Sequence, residues 1–124
     1  MKVDKFYLQT HTNFGKSITE WANELNVEVL TFHERDLEDI GTIDGLVIFT
    51  ENQTIEKDIS EIRAAFDLKQ KPIQKIDING TLVAGVSNFT FWLERNNCKN
   101  ILCIGSDNLL KNTNLERLLT SLKK

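Results

Sequence analysis

Two hydrophobic periods take turns along this chain. Short apolar or alternating runs are followed by longer stretches whose apolar residues recur three and four positions apart. Lys5 to Gln9 (KFYLQ) predicts a first strand. From Phe14 to Asn26, Ile18, Trp21, Ala22 and Leu25 line one face of a helix that Asn13 can cap. Val27 to Phe32 (VEVLTF) alternates and predicts a second strand, and the polar stretch HERDLEDIGTID after it predicts a loop or a short helix. Gly45 to Thr50 (GLVIFT) is continuously apolar, which suits a strand buried on both faces. Thr54 to Leu68 carries Ile55, Ile59, Ile62, Ala65 and Phe66 at helical spacing and ends before Lys71-Pro72. Ile73 to Ile78 predicts a fourth strand, with Asn79-Gly80 as a turn signal. Val86, Phe89, Trp92 and Leu93 predict a helix between Thr81 and Asn97, Ile101 to Gly105 (ILCIG) a fifth strand, and Leu109 to Leu122 a closing helix.

Strands that alternate with helices imply a parallel sheet covered on both faces. The expected fold is α/β: a three-layer Rossmann-like (flavodoxin-like) sandwich with a mainly parallel sheet of about five strands, as one domain over residues 1–124. Ligands of such folds bind beyond the carboxyl ends of the strands, where the strand order switches direction. That directs attention to Thr10–Asn13, His33–Asp36, Thr50–Gln53, Asp77–Gly80 and Gly105–Asn108.

Composition narrows the function classes. A formal net charge of -3 over 124 residues offers no overall attraction to nucleic acid or to an anionic membrane, so neither is an expected partner. No apolar stretch approaches a membrane span, and MKVDKFYLQT lacks the apolar run of a signal peptide, so the cytoplasm is the default location. Cys103, inside Ile101–Ile104, reads as a small buried hydrophobe, and Cys98 falls in a predicted loop. One cysteine pair argues against a disulfide framework, and His11 and His33 lack partners at metal-ligand spacing. The residues name no cofactor, and a homo-oligomer stays open.

The stretch THTNFGKS, Thr10 to Ser17, poses the sharpest question, because it ends like a phosphate-binding loop and lies between a predicted strand and helix. A P-loop needs Gly-x-x-x-x-Gly-Lys-Ser/Thr. Here Thr10 stands at the first glycine, and a threonine does not adopt positive φ cheaply. Glu51 follows GLVIFT, where a magnesium-holding Asp is wanted. The stretch therefore reads as a strand-to-helix turn. A weaker reading survives in which the free N–H groups of the helix bind an anion, with Thr10, Thr12, Asn13, Lys16 and Ser17 adding contacts.

From Asp44 onward the order of features is D-G-L-V-I-F-T (Asp44–Thr50), a helix with Glu61, Ile62 and Ala65, then Lys71-Pro72-Ile73. This resembles the nucleotide-binding Rossmann-like superfamily of nucleoside deoxyribosyltransferases, LOG-like proteins and the putative molybdenum carrier family, and TIR domains share a similar strand and helix. The carrier family is the nearest likeness: Asp77-Ile78-Asn79-Gly80 ends the strand after Lys71-Pro72, a helix carries Trp92-Leu93, and a later strand ends in Gly105. The likeness covers roughly residues 44 to 124. Two glycine motifs of that family are absent: T-H-T-N-F-G stands where it has G-G-Q-T-G, and Glu51-Asn52-Gln53-Thr54 where it has Gly-Thr.

The resemblance implies a nucleotide or related phosphorylated small ligand, held by the first loop (with His11 as an acid or base) together with Glu51, Asn52, Gly105, Ser106 and Asp107. His33, with Glu34 and Asp36, forms an acidic strand end suited to a ribose hydroxyl. The alternative is an enzyme of N-glycosidic bonds, deoxyribosyltransferase-like or a TIR-like NAD hydrolase. Glu61 would then be the catalytic carboxylate beside an oxocarbenium-like centre. Against that, Glu61 lies off the apolar stripe of its helix and pairs equally well with Lys57 in solvent. A third alternative is a non-catalytic protein-interaction domain, which an apolar surface patch and a side-chain-filled switch point would favour.

Overall fold

The computed structural model describes residues 3–33, 40–52 and 55–123. Five strands form one sheet: β1 (Lys5–Leu8), β2 (Glu28–Thr31), β3 (Gly45–Thr50), β4 (Ile73–Asp77) and β5 (Asn100–Gly105). Every pairing is parallel, in the order β2-β1-β5-β3-β4. Among the described residues four α-helices cover it: α1 (Asn13–Glu24), α2 (Lys57–Leu68), α3 (Leu82–Arg95) and α4 (Thr113–Leu122).

The three-layer α/β sandwich is the one the periodicities imply. Side chains alternate along each central strand, so the sheet builds two cores. Phe6, Leu8, Val47, Phe49, Ile101 and Cys103 face one way, against α1, α3 and α4. Leu46, Ile48, Leu102 and Ile104 face the other way, against Ile59, Ile62 and Phe66 of α2 and against Ile40 and Ile43. All six residues of β3 are buried, as its unbroken apolar run requires.

Several boundaries differ from expectation for local reasons. Thr12, not Asn13, caps α1: its Oγ1 accepts from the Gly15 N–H at 2.9 Å. The second helix starts at Lys57, and the expected start at Thr54 lies outside the described residues, as do 34–39 of the polar stretch. The closing helix is two pieces, a 3-10 turn over Asp107–Lys111 and then α4, because the Asn112 side chain accepts from the Asn114 N–H and restarts the helix. Cys98 lies in the expected loop, between α3 and β5, and is buried there at 1% exposed; its Sγ packs beside Gly45, where an added Cβ would also collide with Trp92. Asp44 ties the same end of the sheet together, its Oδ2 accepting from the Lys99 and Asn100 N–H groups at 2.8 Å each.

The returns from α1, α2 and α3 to the sheet share one geometry. Asn26, Gln70 and Asn97 have φ of 59°, 58° and 50°, just past the three helix ends. The following N–H bonds back five residues in each case: Val27 to Ala22, Lys71 to Phe66, and Cys98 to Leu93. This is the Schellman turn, which glycine favours. Asparagine tolerates the left-handed region, whereas glutamine has no such local compensation.

Replacing exposed Gln70 by glycine is therefore expected to stabilise the fold by about 0.5–1 kcal/mol, while Gln70→Ala gains nothing; thermal unfolding of both variants checks this. The cysteines give a pH dependence. Both are free and buried. Burial, and secondarily the Asp44 charge, pushes the Cys98 thiol up to about 11, and burial pushes Cys103 up further. An unfolded thiol ionises from about pH 8.5, while the native one holds its proton. Stability should thus fall as pH rises from about 9 toward 11. Urea titrations across that range, on the parent and on Cys98→Ala, measure it, with a shallower fall expected in the variant.

Candidate functional site

At the carboxyl edge of the sheet, α1 leaves β1 toward one face and α2 leaves β3 toward the other. β5 ends between them, in register with both: Leu8 lies opposite Cys103, and Phe49 opposite Gly105. This is the point where connections diverge and where such sheets open a crevice.

A pocket of about 190 Å³ opens there, lined by Phe49, Thr50, Glu51, Asn52, Glu56, Ile59, Ser106, Asn108 and Leu109. Thr50 is the last residue of β3 and shares the α2 side with Leu46 and Ile48. It is 2% exposed, and its hydroxyl oxygen, closed off from solvent, has no hydrogen-bond partner among the described residues. Buried hydroxyls are normally satisfied, so an orphan at a pocket wall marks a place where something is wanted.

The surrounding rim is closely bonded to itself. Ser106 Oγ donates to Glu56 Oε1 at 2.6 Å and accepts from the Asn108 N–H at 3.2 Å. Asp77 Oδ1 accepts from the Asn52 and Asn79 N–H groups. Asn79 Nδ2 donates to Asn52 Oδ1, and Asn79 Oδ1 accepts from the side chains of Asn112 and Asn114. Asn52 is held at φ 55°, a left-handed conformation on the pocket wall.

The first-loop residues do not enter this pocket. Thr10 and Thr31 share a hydroxyl hydrogen bond of 2.9 Å, and the His11 and His33 rings lie nearly parallel with centroids 6.0 Å apart. Asn13 and Lys16 are exposed on the first turn of α1, and Ser17 turns toward a groove between α1 and α4. Glu34 and Asp36 lie outside the described residues. Thr12 Oγ1 donates to the Gln9 carbonyl at 2.8 Å while capping the helix. The N–H groups expected to be free for an anion are thus partly occupied: Thr12 takes that of Gly15, and Asp107 Oδ1 takes that of Phe14 at 2.8 Å. Asp107, an expected ligand contact, is tied to the start of α1 by that bond.

The second set converges. Glu51, Asn52 and Ser106 line the pocket, with Gly105 just behind, pressed against Phe14 and Leu109 so closely that a Cβ would overlap them. Glu61 is exposed on α2 and is not part of the lining. The carboxylates that are part of it are Glu51 and Glu56. Thr50 and Asn108 belong to the strand-end loops that the sequence marks, whereas Glu56 lies outside them. The available signal was Thr50, the one polar side chain in GLVIFT.

A larger concavity of about 430 Å³ lies between α1 and α4, over Trp21, Leu115 and Leu119. Its polar groups face solvent or are paired: Trp21 Nε1 donates to the Leu119 carbonyl, and Lys123 pairs with Glu24. Among its described residues no buried polar side chain is orphaned, so the smaller pocket at the strand ends is the candidate site. No group of three or more His, Cys, Asp or Glu side chains suited to a metal ion occurs among the described residues, and none of their helices is long and apolar enough to cross a membrane.

No protein-family model matches the chain, and neither does any curated protein. Among solved structures it is similar to a putative molybdenum carrier protein from Syntrophus aciditrophicus, with a TM-score of 0.77 over 98% of this chain and 92% of that one. The two are 10% identical, so what they share is the fold.

Proposed function

We propose that this chain is a small-molecule-binding α/β domain whose ligand enters the pocket beyond the carboxyl ends of β3 and β5. The observation that carries the reading is the Thr50 hydroxyl, buried and unpartnered at the wall of that pocket. Leaving such a group unsatisfied costs roughly 1–3 kcal/mol, a cost that a bound ligand removes. The pocket's position at the divergence of α1 and α2 is where ligands of this architecture bind. The ligand class we favour is a nucleoside or nucleotide. Molybdenum enters only through the name of the structural neighbour, and its usual aqueous form, molybdate, is an oxyanion that Glu51 and Glu56 would repel.

An enzymatic use of the same pocket is the second reading. Two carboxylates at its wall favour it, and they transfer the proposed role at an N-glycosidic bond from Glu61 to Glu56 or Glu51. The interaction-domain reading has less support, because the switch point is open rather than filled by side chains.

Replacing Thr50 by valine keeps the shape and deletes the orphan hydroxyl. The ligand-free variant should gain about 1 kcal/mol, or about 4 °C in Tm. It should also lose the thermal shift that a nucleoside, nucleotide, NAD or ADP-ribose gives the parent, which reaches about 2.7 kcal/mol at a hundred times Kd. A variant no more stable than the parent that keeps the full ligand shift would remove Thr50 from the site and the proposal with it.

A further inference from the structure

We infer that the pocket selects the vicinal diol of a sugar and rejects phosphate, so that the ligand is held by hydroxyl groups and not by an anionic tail. The inference rests on the binding reading above and specifies its chemistry.

The first ground is the lining. Glu51, Glu56, Ser106, Asn52 and Asn108 surround the opening with Thr50 buried at its wall, and no lysine, arginine or histidine lines it among the described residues. Phosphate oxygens chiefly accept hydrogen bonds, and an ammonium only donates them. A hydroxyl does both, and so can satisfy a carboxylate with its proton while accepting from Thr50 Oγ1 once that buried side chain turns toward the pocket. Acidic side chains at the ends of such strands hold ribose hydroxyls in this way.

The second ground is size. About 190 Å³ is below the range of roughly 300–1,000 Å³ that encloses a drug-sized ligand. It suits a sugar ring, with any base lying outside on the rim.

The third ground is Asp107. An anion belongs at a helix N-terminus, and α1 is the helix that would offer one. There the chain supplies its own: Asp107 Oδ1 accepts from the Phe14 N–H at 2.8 Å, while Thr12 takes the Gly15 N–H. A phosphate would have to displace a carboxylate that is covalently part of the protein. The α2 end lacks a side-chain cap hydrogen bond, but Glu56 at its N-cap position and Asp58 in its first turn place negative charge there against a further anion.

The test is isothermal titration of the purified chain with adenosine, 2′,3′-dideoxyadenosine, D-ribose, ribose 5-phosphate, AMP, inorganic phosphate and sodium molybdate, repeated on Thr50→Val. The expected result is binding of adenosine, at least tenfold loss with the dideoxy compound, no heat from phosphate or molybdate, and AMP no tighter than adenosine. Ribose binding comparably to adenosine would identify a sugar as the source of the diol, and adenosine alone a nucleoside; either supports the inference. Dideoxyadenosine binding as well as adenosine would overturn it, as would AMP or ribose 5-phosphate binding more tightly than its phosphate-free parent. If those signals are lost in Thr50→Val, the pocket still stands as the binding site and only its chemistry is wrong. Silence from every probe would overturn the inference and the binding reading together.

Discussion

The position of β5 governs the rest of the molecule. The last strand inserts between β1 and β3, the two strands whose helices depart toward opposite faces, and the chain leaving it must pass between two helix N-termini. Consecutive residues then serve opposite sides. Ser106 reaches Glu56 at the start of α2, and Asp107 reaches the Phe14 N–H at the start of α1. Gly105 makes this passage possible, since the Phe14 ring and Leu109 occupy the space a side chain would need. An order with β5 at the edge would leave both helix ends open and the crevice between β1 and β3 unbridged. With β5 in the middle, the α1 side is closed by a carboxylate, and the opening that remains lies toward α2, under Thr50.

That arrangement also answers the question posed by Gly15, Lys16 and Ser17. The glycine is required, but not for a phosphate: a Cβ there would lie 1.9 Å from the Gln9 carbonyl oxygen, so the first turn of α1 packs directly on the backbone leaving β1. Lys16 projects into solvent, and Ser17 belongs to the α1–α4 groove. The resemblance-bearing residues downstream have similar explanations. Asp44 fastens β3 to the start of β5, Gly45 makes room for Trp92, and Lys71 closes a Schellman turn. Residues that mark a likeness between distant chains can thus be those that the shared backbone needs, which fits a shared fold at 10% identity.

The elements were legible because their signal is local. GLVIFT announces a strand buried on both faces, and the leucines of α4 announce one apolar stripe. Strand order was not legible, since nothing within ILCIG says which neighbours it will pair with. The same limit hides which side chains meet at the strand ends. Glu61 was favoured by its place in a family-like pattern, whereas the pocket is reached by Glu56, whose side chain bonds to a residue fifty positions away. The capping errors were closer to the surface of the sequence. Thr12 and Asn13 are adjacent and both able caps, and the choice falls to the one whose hydroxyl can also donate to Gln9.

The case for a ligand finally depends on how exceptional Thr50 is within its own surroundings. The rim beside it is satisfied with some thoroughness: Asp77 serves two N–H groups, and Asn79 connects Asn52, Asn112 and Asn114 into one chain of amides. Such a network fixes Asn52 in a left-handed backbone conformation that costs energy. A fold that brings this many polar groups into register has the means to satisfy one more hydroxyl, or to replace it by valine at no steric cost. Threonine at the end of an otherwise apolar strand therefore carries a stability penalty with no structural return. On the binding function proposed above, the penalty is recovered when a ligand group able to donate and accept reaches that oxygen from the pocket lined by Glu51 and Glu56. Stability and recognition then pull in opposite directions at a single oxygen atom.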